Sequence, residues 1–309
     1  MQPTKNTFIS VIVPVFNEEQ NIEPLAKKIT HVLKPYSQYE LIFIDDNTPN
    51  NVQNLAKANA NIKLVSFVRN LGHQMALSAG YQHAKGDCVI SLDADMQDPP
   101  ELIPELIASW RKGVKIVYAK REKRDEGFFK QFTAHIFYRL INMLSDIQIP
   151  MDVGDFRLLD REVVDLLNKF PEKSRFLRGL VAWGGFTSTS IMFNRGKRLS
   201  GHTHYPFSKM FNFALDGIVS FSTKPLKIAS YLGILTSCFG FLGMIYALTR
   251  RLLLPHDYWV TGWTALFVSI MFFGGIQLLT IGIIGEYIGK IYKEIQGRPQ
   301  YLIKEKINL

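Results

Sequence analysis

The stretch "GDCVISLDADMQDPP", Gly86 to Pro100, decides how this chain is read. Its first half is short, apolar and β-branched, as a strand buried on both faces would be. Its second half sets Asp93, Asp95, Gln97 and Asp98 within six residues. A solvated turn is the plain explanation of so much negative charge; a cation site at the end of a strand is the other. If the segment is extended, the spacing puts Asp93, Asp95 and Gln97 on one face. Hard oxygen ligands there suit Mg²⁺ or Mn²⁺ and leave positions open for phosphate oxygens. A lone D-x-D occurs often by chance, so the flanking sequence has to choose.

Working outward, "FISVIVPVF", "YELIFIDD", "IKLVSFVR" and "GVKIVYAKR" are further strand-like runs. Polar stretches of helical spacing separate them, such as "EEQNIEPLAKKITHVLK" with Ile22, Leu25, Ile29 and Leu33. Strand alternating with helix predicts an α/β fold with a mostly parallel sheet covered on both faces, and ligands beyond the carboxyl ends of its strands. Two more strand ends are polar: Pro14 is followed by Asn17, Glu18 and Glu19, and "FIDDNTPNN" sets Asp45 and Asp46 before a turn. A helix cap accounts for the first taken alone, and an Asx-type turn for the second. Three acidic strand ends together are a stronger signal, because clustered carboxylates repel unless a cation or sugar hydroxyls lie among them. Neither G-x-G-x-x-G nor G-x-x-x-x-G-K-[ST] occurs, which removes the main support for dehydrogenase and P-loop readings. Neutralising a diphosphate would then fall to a metal and to arginines. Arg121 and Arg124 in "YAKREKRDEG" are placed for that, with a solvated basic loop as the alternative.

Lys and Arg number 36 against 27 Asp and Glu, a net charge of +9 that favours a polyanionic partner: nucleic acid, anionic lipid or a phosphorylated ligand. Cys88 and Cys238 are far apart and in apolar surroundings, so no disulfide framework is expected. The first apolar run breaks at Pro14, too short for a signal peptide, and the bulk of the chain is expected to stay cytoplasmic. After about residue 224 the character changes. Leu226–Leu248 carries one charge, Lys227, and Thr261–Ile284 none; each is long enough to cross a bilayer. Flanking Lys209, Lys224, Lys227, Lys290, Lys293, Arg298, Lys304 and Lys306 outweigh Arg250 and Arg251 in the connection, predicting a hairpin with both termini cytoplasmic and Tyr258, Trp259 and Trp263 at the outer interface. Tyr205 to Phe221 has the spacing of an amphipathic helix on the inner leaflet, or of an ordinary core helix. The expected organisation is a domain over 1–204, a juxtamembrane segment over 205–224, a hairpin over 225–289 and a basic tail over 290–309. Gly274, Gly275, Gly282, Gly285 and Gly289 would permit close helix packing and a homo-oligomer.

These motifs, with "RNLGHQMALSAGYQHAKGD", "VGDFRLLDREV" and "RGKRLSGHTHYPFSKMFNFALDGIVSFSTKPLK", resemble the family 2 inverting glycosyltransferases of GT-A fold. The nearer likeness is to their polyprenyl-phosphate branch, which includes dolichol-phosphate mannose synthase and the bacterial bactoprenol glucosyltransferases. The resemblance covers nearly the whole chain. It implies that Pro14, Phe16, Glu18, Ile44 and Asp46 hold the nucleoside; that Asp93, Ala94, Asp95 and Gln97 form the metal and diphosphate site; and that Arg121 contacts phosphate. It also implies that Asp155 and Asp95 serve catalysis, and that Arg198 and His204 belong to a conserved element with Gly201, Thr203 and Tyr205. His204 stands where the family has lysine, with Lys209 able to compensate. The implied reaction passes a hexose, UDP-glucose being the first choice of donor, to undecaprenyl or another polyprenyl phosphate at the bacterial inner membrane, with inversion, for glycan modification such as that of O-antigen. UDP-N-acetylglucosamine, GDP-mannose and aminoarabinose donors stay open. Lipid and phosphate then account for the basic charge, with no nucleic acid. A phosphate acceptor is already ionised, so Asp155 is expected to orient rather than to abstract a proton. A processive polysaccharide synthase would need a Q-x-x-R-W element and more spans. A non-catalytic nucleotide-sugar-binding scaffold is the rival from another class.

Overall fold

The computed structural model describes residues 7–48, 52–121, 153–173, 175–193, 219, 222–253 and 262–309. Alternating strands and helices open the chain: β1 (Phe8–Val15), α1 (Glu19–Leu33), β2 (Gln38–Asp45), α2 (Val52–Ala58), β3 (Ile62–Phe67), α3 (His73–His83) and β4 (Cys88–Ser91). After a 3₁₀ turn over Pro100–Leu102 come α4 (Ile103–Trp110), β5 (Ile116–Arg121), β6 (Val153–Asp160), α5 (Arg161–Lys169), α6 (Leu177–Trp183) and β7 (Ser188–Phe193). Two long helices, α7 (Lys224–Leu253) and α8 (Trp263–Ile295), precede a last strand, β8 (Ile303–Ile307). All five expected strands are present.

The eight strands form one sheet in the order β7-β5-β6-β4-β1-β2-β3-β8. The central run β4-β1-β2-β3 is parallel, whereas β6 is antiparallel to both neighbours and β8 is antiparallel to β3. Alternation along each strand separates two cores. Ile9, Val11, Val13 and Val15 face Ile22, Leu25, Ile29 and Leu33 of α1, while Ile12, Ile42, Ile44 and Val65 face Ala76 and Leu77 of α3. Each of these large side chains contributes about 2 kcal/mol of burial. Gly80 lets α3 lie close to the sheet, because a Cβ there would meet Ile12 Cδ1 at 3.0 Å. With α1 on one face and α3 on the other, β1 sits at a topological switch point between β2 and β4, where α/β sheets place ligands.

Helices α7 and α8 are about 45 and 50 Å long at 1.5 Å per residue, more than the hydrocarbon thickness requires. Their windows have mean hydropathies of 1.8 and 2.1 and leave side chains such as Phe239, Leu242, Ile270 and Met271 exposed. They are long and apolar enough to cross a membrane. The last twenty residues do not form the tail that sequence suggested: α8 runs on to Ile295, and the alternation in "IKEKI" becomes the edge strand β8. Lys173 N–H donates to Glu294 Oε2 at 2.7 Å, and Gln300 Nε2 to Glu172 O at 2.7 Å, so the end of α8 is fastened to the α5–α6 connection. Tyr301 stacks on Phe67 at 5.1 Å and bonds Gln82.

Candidate active site

Because β4, β1 and β2 are adjacent and parallel, the three acidic strand ends fall on one edge of the sheet. At the end of β1, Pro14 is buried, Phe16 is 49% exposed, and Glu18 Oε2 accepts from Asn21 Nδ2 at 2.5 Å. At the end of β2, Ile44 is wholly in the core, so its side chain lies beneath the surface. Asp45 Oδ1 accepts from the Thr48 amide at 3.0 Å, the turn that its sequence alone suggested. Asp46 receives Leu71 N–H at 2.7 Å and Gly72 N–H at 2.8 Å, one on each carboxylate oxygen. It thereby fixes the entry to α3, where Gly72 takes φ +89°.

At the end of β4 the structure corrects the extended reading of Asp93 to Gln97. The strand stops at Ser91, Met96 takes φ +61°, and Asp95 Oδ1 accepts the Gln97 amide at 3.0 Å. A short polar side chain has bonded its own backbone two residues on, which curls the segment into a turn and ends the alternation of faces. Asp95 and Ala94 are buried, and Asp93 is partly exposed. Asp93 Oδ1 is nonetheless enclosed and has no hydrogen-bond partner. Desolvation, with the charges of Asp155 and Asp95, holds its carboxyl above the ordinary range.

Opposite Asp93 is a cluster of basic side chains centred on Asp155. Strand β6 pairs with β4 at Ser91↔Arg157, which brings Asp155 to the same edge. Its carboxylate, 6% exposed, is gripped from two directions. Arg178 of α6 donates Nε to Oδ1 at 3.2 Å and Nη2 to Oδ2 at 3.0 Å; His73, the first residue of α3, sets Nε2 at 3.1 Å from Oδ2 and 3.7 Å from Asp93 Oδ1. Burial opposes the charge on Asp155, but Arg178, the hydrogen bond from His73 and Arg157 outweigh it and hold the carboxyl well below its usual range. An ionised carboxylate only accepts, so His73 Nε2 carries the hydrogen. Desolvation opposes imidazolium, yet the bond to Asp155 and the charges of Asp93 and Asp155 raise the His73 pKa above its ordinary value. The Leu177 amide donates to Gln74 Oε1 at 3.1 Å, tying α6 to α3.

Beneath this cluster Ser91 Oγ donates to Asp155 O at 2.5 Å and lies 3.0 Å from Tyr81 Oη, which accepts from Arg157 Nε at 3.2 Å. Arg121, at the end of β5, lies along Gly154: a Cβ on that glycine would be 3.5 Å from Arg121 Nη2, and Arg121 Nε is buried without a hydrogen-bond partner. Expectations on Arg124, Arg198, His204, Lys209 and the helix over 205–221 lie outside the described residues, Val219 apart.

The donor set fits a divalent cation. Asp93 offers a buried oxygen with no hydrogen-bond partner and only His73 Nε2 at 3.7 Å, and Asp95 lies beside it. Among the described residues no three His, Cys, Asp or Glu side chains gather to hold a metal unaided. Two carboxylates completed by phosphate oxygens and water are what Mg²⁺ commonly takes.

Sequence reasoning had found Asp93, Asp95 and Asp155 but assigned no role to His73, Arg178 or Arg157. The signals available were the histidine just after Gly72 in "RNLGHQ" and the arginine two residues after Asp155, on the same face of a strand.

Residues 10–167 match the family description "Glycosyl transferase family 2". The chain is 44% identical over 306 residues to "Uncharacterized glycosyltransferase YkcC" of Bacillus subtilis (strain 168), covering 97% of this chain and 94% of that protein. It is 41% identical over 304 residues to the "Bactoprenol glucosyl transferase" of Shigella phage SfII, covering 96% and 97%. Among solved structures, the mannosyl-3-phosphoglycerate synthase of Rubrobacter xylanophilus matches with a TM-score of 0.47 at 15% identity, over 68% of this chain and 71% of that one.

Proposed function

The chain belongs to glycosyl transferase family 2, and from that premise we propose that it moves a hexose from a nucleotide sugar to a polyprenyl phosphate at the cytoplasmic face of a bacterial inner membrane. The observation that carries this reading is Asp93 Oδ1, buried without a hydrogen-bond partner, facing the basic pair His73 and Arg178 beside the switch point of the sheet. One half of the site suits a cation under a diphosphate; the other suits an anionic acceptor. The name of the Shigella phage relative supports a polyprenyl phosphate acceptor and a glucose donor, and UDP-glucose is the donor we propose.

Asp93 and Asp95, with Gln97 adjacent, would hold Mg²⁺ or Mn²⁺, and a bound cation would offset charge on the departing nucleoside diphosphate. Arg121, at the end of β5, would add a guanidinium on the phosphate side, and the exposed Phe16 ring offers a platform for the base. Asp46 shapes the loop before α3. Arg178 and His73 form the surface that meets the acceptor phosphate. That nucleophile carries its own charge at neutral pH, so no general base is needed. The bidentate grip on Asp155 supports an orienting role for it. In-line attack at the anomeric carbon then gives inversion.

Membrane placement follows the same reading. Strands β1 and β8, near opposite ends of the chain, share one sheet, which supports an even number of crossings between them. The domain over 1–204 and both termini then lie on one side, with the hairpin over 225–289.

The test is transfer by the full chain in detergent with Mg²⁺, undecaprenyl phosphate and a panel of UDP- and GDP-sugars, wild type beside Asp95→Ala. Metal-dependent formation of a lipid-linked sugar from one donor, lost in the variant, is expected. Nucleotide-sugar binding with no transfer to any lipid phosphate would overturn the proposal.

A further inference from the structure

Asp155 has three basic side chains around it, and they are not equivalent. Arg178 is 28% exposed and His73 40%, so an entering anion can reach both. Arg157 is wholly buried, with Nη2 3.8 Å from Asp155 Oδ1. Its Nη1 and Nη2 have no hydrogen-bond partner; Nε alone is used, on Tyr81 Oη. Leaving guanidinium donors unfilled inside a protein is costly, and β6 places this one directly behind the carboxylate.

We propose that Arg157 is a reserve counterion, a positioning residue that holds Asp155 when Arg178 and His73 turn to the acceptor's phosphate. This rests on the reading above, in which an anionic acceptor enters beside Arg178. In the structure as it stands both exposed side chains are bonded to Asp155. Once they engage phosphate, Asp155 would be a buried carboxylate stripped of its partners, a state that costs several kcal/mol when uncompensated. No ligand can recruit Arg157, because its guanidinium is sealed from solvent. A shift of about 1 Å brings Nη2 to hydrogen-bonding distance of Oδ1. Tyr81 and Ser91 keep the two groups aligned: Tyr81 holds Arg157 Nε, and Ser91 bridges Tyr81 to the Asp155 backbone. The exposed basic groups bind and exchange; the buried one stays.

The test compares Arg157→Gln, Arg157→Lys and Tyr81→Phe with wild type as full-length protein in detergent. It measures kcat and KM for undecaprenyl phosphate, together with calorimetric binding of UDP-glucose. For Arg157→Gln we expect kcat to fall about tenfold or more and acceptor KM to rise, with donor Kd within about twofold of wild type. Arg157→Lys should recover part of the loss, and Tyr81→Phe should show a smaller change in the same direction. A donor Kd that worsens in step with kcat would mean general collapse of the site and overturn the proposal. So would Tyr81→Phe and Arg157→Lys proteins with unaltered kcat and acceptor KM, and these two variants decide the matter if Arg157→Gln does not fold. Absence of transfer by wild type would instead overturn the function proposed above.

Discussion

The two edges of the sheet bury carboxylates in opposite ways. At the amino edge Glu40, 1% exposed, accepts Ser10 Oγ at 2.5 Å and the Lys85 amide at 2.7 Å on Oε1, and faces Lys63 Nζ at 2.5 Å with Oε2. One anion meets one cation and two donors, so its charge is matched within the fold. At the carboxyl edge Asp93, Asp95 and Asp155 crowd together with Arg157, Arg178 and His73, yet Asp93 Oδ1, Arg121 Nε and two nitrogens of Arg157 have no hydrogen-bond partner. The same strands carry both edges, so the fold does not force the difference. Three carboxylates crowded at one edge, against a single carboxylate matched by a single cation at the other, mark the carboxyl edge as built for something that arrives from outside.

The sharpest way to break this contrast is to neutralise one carboxylate at each edge. Asp93→Asn removes a charge that burial and two neighbouring carboxylates already disfavour. We expect transfer to fall about 10²- to 10³-fold while the melting temperature holds or rises by about 2–4 °C. A variant that melts well below wild type would show that Asp93 is structural. Glu40→Gln should do the reverse. With Lys63 left beside a neutral amide, the fold should lose about 3 kcal/mol, about 6–12 °C in melting temperature, and the folded fraction should transfer at the wild-type kcat. Equal damage to kcat would erase the distinction between the edges.

The smallest effect concerns Asp160, opposite Cys88 at the amino edge, which accepts Trp110 Nε1 at 2.7 Å and Lys115 Nζ at 3.0 Å and caps α5 through the Glu162 amide. Burial opposes its charge, but these donors outweigh it and lower the pKa. A lowered folded pKa stabilises fully above the unfolded value, about 3.9, and the contribution vanishes as pH falls through the folded value. Asp160→Asn should therefore cost about 1 kcal/mol at pH 7, and thermal melts should show the gap from wild type closing below about pH 3.9. A gap independent of pH would refute the assignment.

Much of the fold was legible because β-branched runs and helical spacing are local signals. Ile9 to Val15 announce a buried strand, and Ile22 to Leu33 the helix that covers it. Strand β8 escaped because three of the five residues in "IKEKI" are charged, which resembles a solvated tail until β3 supplies a partner. The site was half legible. Asp93 and Asp95 follow an apolar run and can be found by position, whereas Asp155 came only through the family resemblance, and His73 and Arg178 meet it across 82 and 23 residues, a closure that only the three-dimensional sheet reveals. The misread turn at Asp95 has a local cause: a side chain competing with its own backbone leaves no trace in hydrophobic periodicity.

Strand β8 also sets an order of events during synthesis. A ribosome delivers β1 to β7 first, then both long helices, and only after them the strand that pairs with β3. Asn308, just past that strand, donates to Ala56 O at 2.6 Å and Ile62 O at 2.9 Å, which fastens β8 to the connection between α2 and β3. The strands ahead of the helices can begin to fold as they emerge, but the sheet cannot be completed until both helices have been made. A chain cut between the second helix and β8 would thus carry a bare β3 edge, a natural target for quality control.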